Sequence, residues 1–539
     1  MKLYRVAIAL GLVSLLAFFV QSAMRVPYEF EIEWMEGGML THAARLLEGQ
    51  QIYAPPSTDF VPFFYTPLYP MLLAGLSFLT GGLSFTMARL VSLGFTLCTF
   101  ALLFHIGRRE RSREVGLLAV GLYAAMFRLT GAFYDVARPD AMFIFLVLAA
   151  CYTAYSVRST RGVVGAALLF VIGHFTKQTT SVFVPMVGLW LFSQNRRHAA
   201  LFLVTVFGTG ALSTWAYDHH TGGWFWTYVF QGHQGHLFYW KNILMEYWRD
   251  VLFLAPVTLI LPLLWFSQRF HLTALCILMA AHWGYAFVFR ARTLDYQPHM
   301  YYAELWYETP RLLILVPPFI MAAMAVMAWV AIIRRPSIER KPLQTNTYWL
   351  LMYIACVGSS GLNHSTQWAY SNCFMPLAVF SALFLSLVVD DLIKTSPALT
   401  GRLVSGILVL QLVAFGYDPR SQVPTPADHE ALAVFNAALD GISGRVFAPA
   451  HPFVSYQRDG VIHTHQMGIQ DVAFMGGLKD LPARLRAQEW AAVIVDAPNT
   501  VPELGRYYRL DRRLDLGPND ALRAKTGFLV RPSELWVPK

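Results

Sequence analysis

The chain carries a series of apolar runs, each about 20 residues long and almost free of charge, the length at which an α-helix crosses a bilayer. Runs of this kind exclude a water-soluble enzyme. Composition agrees, with 56% hydrophobic and 14% charged residues, against about 25% charged in an ordinary soluble protein. Clear spans are expected near 4–24, 86–107, 115–133, 139–157, 199–217, 272–291, 312–333 and 372–393. Shorter or broken ones are expected near 162–176, 178–194, 250–266, 348–360 and 403–417. The first run follows Met-Lys and has no small-residue cleavage site after it, so it reads as a retained signal anchor.

Charge gives the sidedness. The net charge of +9 sits mostly in short clusters between apolar runs, Arg108-Arg109 with Arg111 and Arg113, Arg158 and Arg161, Arg196-Arg197, and Arg334-Arg335 with Arg340-Lys341. Such clusters mark cytoplasmic loops rather than a nucleic-acid surface. With about 13 spans and an inside N-terminus every cluster falls inside, provided that 66–82, interrupted by Pro67 and Pro70, dips without crossing. The outer side then holds the long loops 25–85, 218–249 and 292–311 and the short one Tyr134 to Asp140. The five cysteines, Cys98, Cys151, Cys276, Cys356 and Cys373, are odd in number and lie in or beside apolar segments, forming neither a disulfide framework nor a zinc site.

After about residue 418 hydropathy falls. Arg445-Val-Phe-Ala-Pro and Ala491-Ala-Val-Ile-Val-Asp read as strands, and Asp480 to Gln488 as a helix. The expected architecture is an all-α polytopic membrane domain, 1–417, followed by a small extracytoplasmic α/β domain, 418–539.

Polar residues that interrupt this pattern are the candidate site. The first outer loop places Glu29, Glu31, Glu33 and Glu36 at a membrane exit, and Glu36-Gly37-Gly38 opens a helical pattern running to Gly49. A carboxylate fixed at the start of an interfacial helix suits a base acting on a lipid-linked substrate; a solvated acidic loop is the plainer alternative. Arg138-Pro139-Asp140 lies at an outer boundary, where a helix cap with an interfacial arginine would also account for it. Lys177 defies the positive-inside trend, and ionisable groups at membrane depth mark function. The stretch Trp224 to His236 brings aromatics with His233 and His236, fit for an interfacial belt or for phosphate contact; it has no metal-ligand spacing. Asn363, in Ser360-Gly361-Leu362-Asn363-His364, can line a cavity.

Taken in order, these residues resemble the integral-membrane GT-C glycosyltransferases that use polyprenyl-phosphate-linked sugars, in particular the branch of protein O-mannosyltransferases and lipid A aminoarabinose transferases. The resemblance runs over roughly residues 1–415. It is carried by Glu36-Gly37 with Ala43 to Gly49, Tyr65-Thr66-Pro67-Leu68 at the place of the family's Lys-Pro-Pro-Leu, Arg89, Arg138-Pro139-Asp140, Thr176-Lys177 and Trp226 to His236. Two departures stand out: Glu occupies the first loop where the family has Asp, and Tyr65 stands where it has Lys.

The resemblance implies a GT-C-like fold and inverting transfer of a sugar from a polyprenyl-phosphate donor to an envelope acceptor outside the membrane. Such a reaction needs a base for the acceptor hydroxyl and cations for the departing phosphate. Glu36 is the expected base, with Glu33 in reserve, and by resemblance Asp140 positions the acceptor or organises the site. Lys177, with Arg138 and His233 or His236, is expected to hold the donor phosphate. Tyr65 and Asn363 are expected around the cavity. No cofactor is called for with certainty, a divalent cation being the one candidate. The expected partners are the lipid-linked donor, membrane lipid and a glycan, lipid or protein acceptor, at a bacterial inner membrane. An envelope glycan ligase, or a transporter or flippase of a lipid-linked sugar, are the rivals.

Overall fold

The computed structural model describes residues 2–157, 159–239 and 341–539, together with Tyr247 and Val251. The spans expected near 272–291 and 312–333, nearly all of the span near 250–266, the loop 292–311 and the cluster at Arg334 lie outside the described residues. The described chain is mostly helical: α1 Lys2–Arg25, α2 Glu36–Leu47, α3 Leu68–Thr80, α4 Phe85–Glu110, α5 Arg113–Ala125, α6 Asp140–Ser156, α7 Thr160–Thr176, α8 Val184–Gln194 and α9 Arg196–His220. Lys341–His364, Met375–Thr395 and Ala398–Ala414 follow. Among the described residues four helices are long and apolar enough to cross a membrane, Lys2–Arg25, Phe85–Glu110, Arg196–His220 and Ser371–Thr395, and a bent pair, Ala398–Ala414 with Pro419–Asp440, gives a fifth candidate. These helices make the chain an integral membrane protein.

Local chemistry sets the helix ends. Ser84 accepts from the Met87 N–H at 3.1 Å, Ser112 from Val115 at 3.4 Å, and Asn195 from Arg197 at 2.9 Å, each satisfying an orphan donor of the first turn. Two of these caps directly follow or precede a basic cluster, so charge and capping end the helices together. The apolar window of the helix over 371–395 is 94% buried and that of α1 only 22%, so the former is the bundle's centre and the latter its lipid-facing rim. α1 meets α5 through glycines: a Cβ on Gly11 would lie 2.8 Å from the Gly121 Cα. One expected element ends early. The span near 115–133 is helical only to Ala125, after which turns with left-handed Gly131 and Ala132 (φ 72 and 59) bring the chain to the segment 134–140.

The C-terminal part holds a sheet of order β1-β2-β4-β3, built from Val446–Phe447, Ala492–Val495, Glu534–Pro538 and Tyr508–Arg513 respectively. β1 and β2 are parallel; β4 runs antiparallel to both β2 and β3. The sheet does not stand clear of the bundle. It covers the loop 25–85: the Thr464 N–H donates to the Thr58 carbonyl at 3.0 Å, and the N–H groups of Lys525 and Thr526 donate to the Ile32 carbonyl at 2.8 and 3.1 Å. His451 lies between Glu31 and Asp496, at 3.2 and 3.4 Å. Burial opposes its protonation, but the two carboxylates push its pKa up to about 10.

Candidate functional site

The first loop does not form a solvated acidic cluster. Glu29 is exposed, whereas Glu31, Glu33 and Glu36 are buried under the C-terminal part. Because an unpaired buried charge is costly, each must find partners, and the partners differ.

Glu36 opens α2 and is saturated. Its Oε1 accepts from Arg89 Nε at 2.9 Å and from the Ala137 N–H at 2.7 Å. Its Oε2 accepts from Arg89 Nη2 at 2.6 Å and from the N–H groups of Ile32 and Glu33 at 2.7 and 3.1 Å. Burial alone would raise its pKa, but Arg89 and these N–H donors hold it below the usual value. Arg89 spends its remaining donors on the carbonyls of Arg25, Tyr28 and Phe30. A carboxylate with five donors and no open lone pair is a clasp tying the loop to α4 and to the turn before α6. It does not fit the part of general base expected of Glu36, because every oxygen that would take a proton is already engaged.

Glu33 belongs to a second network. Its Oε2 accepts from the Met35 N–H and from Arg138 Nη1, both at 3.1 Å. Burial outweighs Arg138 and pushes its pKa up to about 7. Arg138 spends Nη2 on the Tyr65 hydroxyl at 2.7 Å and stacks its guanidinium over the Tyr65 ring at 5.2 Å, which is where that substitute for the family's Lys contributes. Arg138 Nε points instead at Asp140, 3.9 Å from Oδ2.

Asp140, the first residue of α6, is held by one oxygen. Oδ1 accepts from Lys177 Nζ at 2.6 Å and from Asn372 Nδ2 at 3.0 Å. Among the described residues Oδ2 is buried without a hydrogen-bond partner, and so is the facing Arg138 Nε. These two buried polar atoms, 3.9 Å apart, have opposite demands, which one oxygen meets by donating to Asp140 Oδ2 and accepting from Arg138 Nε. A hydroxyl is such a group; an unprotonated phosphate oxygen, which only accepts, is not.

Glu33, Arg138, Asp140 and Lys177 thus form one chain of alternating charge, with Tyr65 at its side. A small pocket, with space for little more than a water molecule, adjoins it, lined by His42, Tyr53, Phe63, Tyr65, Tyr69 and Pro139 among others. Three expected residues stand apart. His233 and His236 pack on Phe64, with ring centroids 5.6 and 5.3 Å away, and His236 pairs with Asp471 at 2.9 Å. Among the described residues they brace the C-terminal part instead of joining Lys177. Asn363 lies in the last turn of Lys341–His364, where its carbonyl accepts from the Thr366 hydroxyl at 2.8 Å. The amide that reaches Asp140 is that of Asn372, in a 3₁₀ turn that no sequence pattern picks out. Among the described residues no group of three or more His, Cys, Asp or Glu side chains forms a metal cage. Glu33, Glu36 and Asp140 are each matched by an arginine or lysine, so these carboxylates do not fit a divalent cation.

Residues 64–216 match the family model described as dolichyl-phosphate-mannose-protein mannosyltransferase. No curated protein sequence matches the chain. Among solved structures the chain is similar to ArnT from Cupriavidus metallidurans, at 12% identity over 94% of this chain and 95% of that one (TM-score 0.46) in the apo state. With undecaprenyl phosphate bound, ArnT is again 12% identical, over 98% and 97% (TM-score 0.44). It is also similar to the oligosaccharyltransferase AglB from Archaeoglobus fulgidus in complex with an inhibitory peptide and a dolichol-phosphate, at 11% identity over 92% of this chain and 69% of that one (TM-score 0.47). The family match, over a stretch that contains Tyr65, Arg89, Arg138, Asp140 and Lys177, supports the resemblance to polyprenyl-phosphate-sugar-dependent membrane glycosyltransferases, and with it the enzyme class.

Proposed function

We propose that the chain transfers a sugar from a polyprenyl-phosphate-linked donor to a hydroxyl of an envelope glycan, lipid or protein on the outer face of the membrane, with inversion. The observation that carries this reading is a pair of atoms unpartnered among the described residues, Asp140 Oδ2 and Arg138 Nε, facing each other beside Lys177. An acceptor hydroxyl set between them accepts from Arg138 and gives its proton to Asp140. Its oxygen forms a bond to the sugar's anomeric carbon as the bond from that carbon to the phosphate oxygen breaks. The electron pair leaves with the phosphate, so a lipid phosphate is released and Asp140 ends protonated. Lys177 has three donors and spends one on Asp140 in the resting site, which leaves two to turn toward the phosphate. Only one carboxylate faces the reacting oxygen, which calls for a single displacement.

In this reading Glu33 holds Arg138 in place and Glu36 holds the loop. The membrane domain 1–417, the part 418–539 on the outer side, and a bacterial inner membrane complete the proposal. A tag fused after Lys539 should then be reached from outside the cell membrane and not from the cytoplasm.

The test is turnover of full-length protein in membranes, given labelled polyprenyl-phosphate hexoses. A transferase releases polyprenyl phosphate, and Asp140→Asn should lower that release by about a hundredfold. Movement of the lipid across the bilayer without release would identify a flippase and overturn the proposal.

A further inference from the structure

Asp140 is held at Oδ1 by two donors of different kinds, and the difference between them has a chemical consequence. Lys177 Nζ, 2.6 Å away, is a cation whose side chain is 12% exposed, and it is the group the proposed reaction sends to the phosphate. Asn372 Nδ2, 3.0 Å away, is neutral and has no charge to offer a phosphate. It comes from the 3₁₀ turn Ser371–Phe374, which leads into the most buried helix of the bundle. That turn is itself fixed: the Cys373 N–H donates to the Tyr370 carbonyl at 3.0 Å, and Gly131 packs so tightly on it that a Cβ there would lie 3.1 Å from the Ser371 Cβ.

A carboxylate turns freely about its terminal bond unless its oxygens are held. When phosphate draws Lys177 away, the lysine's grip on Oδ1 weakens at the moment the proton is to be taken. We propose that Asn372 is the positioning residue that keeps Oδ1 occupied through the reaction cycle, so that Oδ2 stays aimed at the acceptor hydroxyl and Arg138. This deepens the transferase reading and rests on it. Among the described residues Arg138, Glu33 and Tyr69 also act electrostatically on Asp140, and no hydrogen bond joins any of them to Oδ1.

Asn372→Ala and Asn372→Asp separate positioning from mere folding. With full-length protein in detergent, binding of polyprenyl phosphate alone should stay within about twofold of wild type for Asn372→Ala, while kcat for release of polyprenyl phosphate falls about tenfold or more. Asn372→Asp sets a second carboxylate against Oδ1, and two carboxylates sharing a site cannot both ionise easily. The acidic limb of its pH–rate profile should move up by about one unit or more. An unchanged kcat in Asn372→Ala overturns the assignment. So does an acidic limb that stays in place in a folded, phosphate-binding Asn372→Asp. If Asp140→Asn itself keeps wild-type turnover, the transferase mechanism through Asp140 fails; if it is inactive while both Asn372 variants behave as wild type, only the role of Asn372 fails.

Discussion

Two buried carboxylate–guanidinium pairs flank the turn before α6, and they are built to opposite standards. Glu36 with Arg89 has every oxygen and nearly every N–H engaged. Asp140 with Arg138 is left incomplete, its facing atoms 3.9 Å apart. A complete pair contributes order and has nothing left to offer a substrate; an incomplete one retains the desolvation cost of two unpaired polar atoms until something fills the gap. The position of a carboxylate near a membrane surface therefore says less about its role than the count of donors around it.

The largest effect that would sharpen this contrast is on folding. Glu36→Gln puts an amide NH2 where N–H donors already converge and leaves Arg89 buried without its anion, a change expected to cost about 3–5 kcal/mol. Thermal unfolding in detergent, or the yield of extracted protein, measures it. Normal stability together with a hundredfold loss of transfer would break the comparison and return the base to Glu36. Asp140→Asn should do the reverse, keeping the fold and polyprenyl-phosphate binding while release of lipid phosphate drops about a hundredfold. Lys177→Met should weaken both binding and turnover by about tenfold, as expected of one charge-assisted contact; wild-type turnover with lowered stability would make the lysine structural.

The smallest effect is a slope. Glu33 is held protonated to about pH 7, against a usual value of 4.5. Its raised pKa means that the folded state binds the proton more tightly than the unfolded chain. The stability it contributes is thus complete below about 4.5 and lost as pH rises through about 7. Glu33→Gln should flatten the melting temperature across that window; an unaltered slope would mean that Glu33 is ionised throughout.

Much of the membrane part was legible because helix period, caps and basic clusters are local. Arg138-Pro139-Asp140 and Lys177 could be singled out for the same reason, each being a polar break in apolar sequence. The clasp on Glu36 could not be read in this way. Its donors come from Arg89 and from the backbone of Ala137, sequence-distant groups of which the second carries no side-chain signal at all. Gly37 and Gly38 answer to packing: a Cβ on Gly37 would lie 2.5 Å from Glu31 Oε1, and one on Gly38 2.4 Å from the Phe63 ring. Asn372 and His451 were invisible because nothing around them in sequence marks them, and their partners lie in other segments.

The strap over the first loop bears on how the protein is made. The N–H groups that occupy the Ile32 carbonyl belong to Lys525 and Thr526, and Gly527 crosses so close to Glu33 that a Cβ there would lie 2.7 Å from its Oε1. At about 5–20 residues per second, a ribosome delivers that strap roughly 25–100 seconds after the loop it closes. For that interval Ile32 and Glu33 lack the cover that Lys525, Thr526 and Gly527 give them, so a chain cut short before residue 525 is expected to leave this part of the loop open to water.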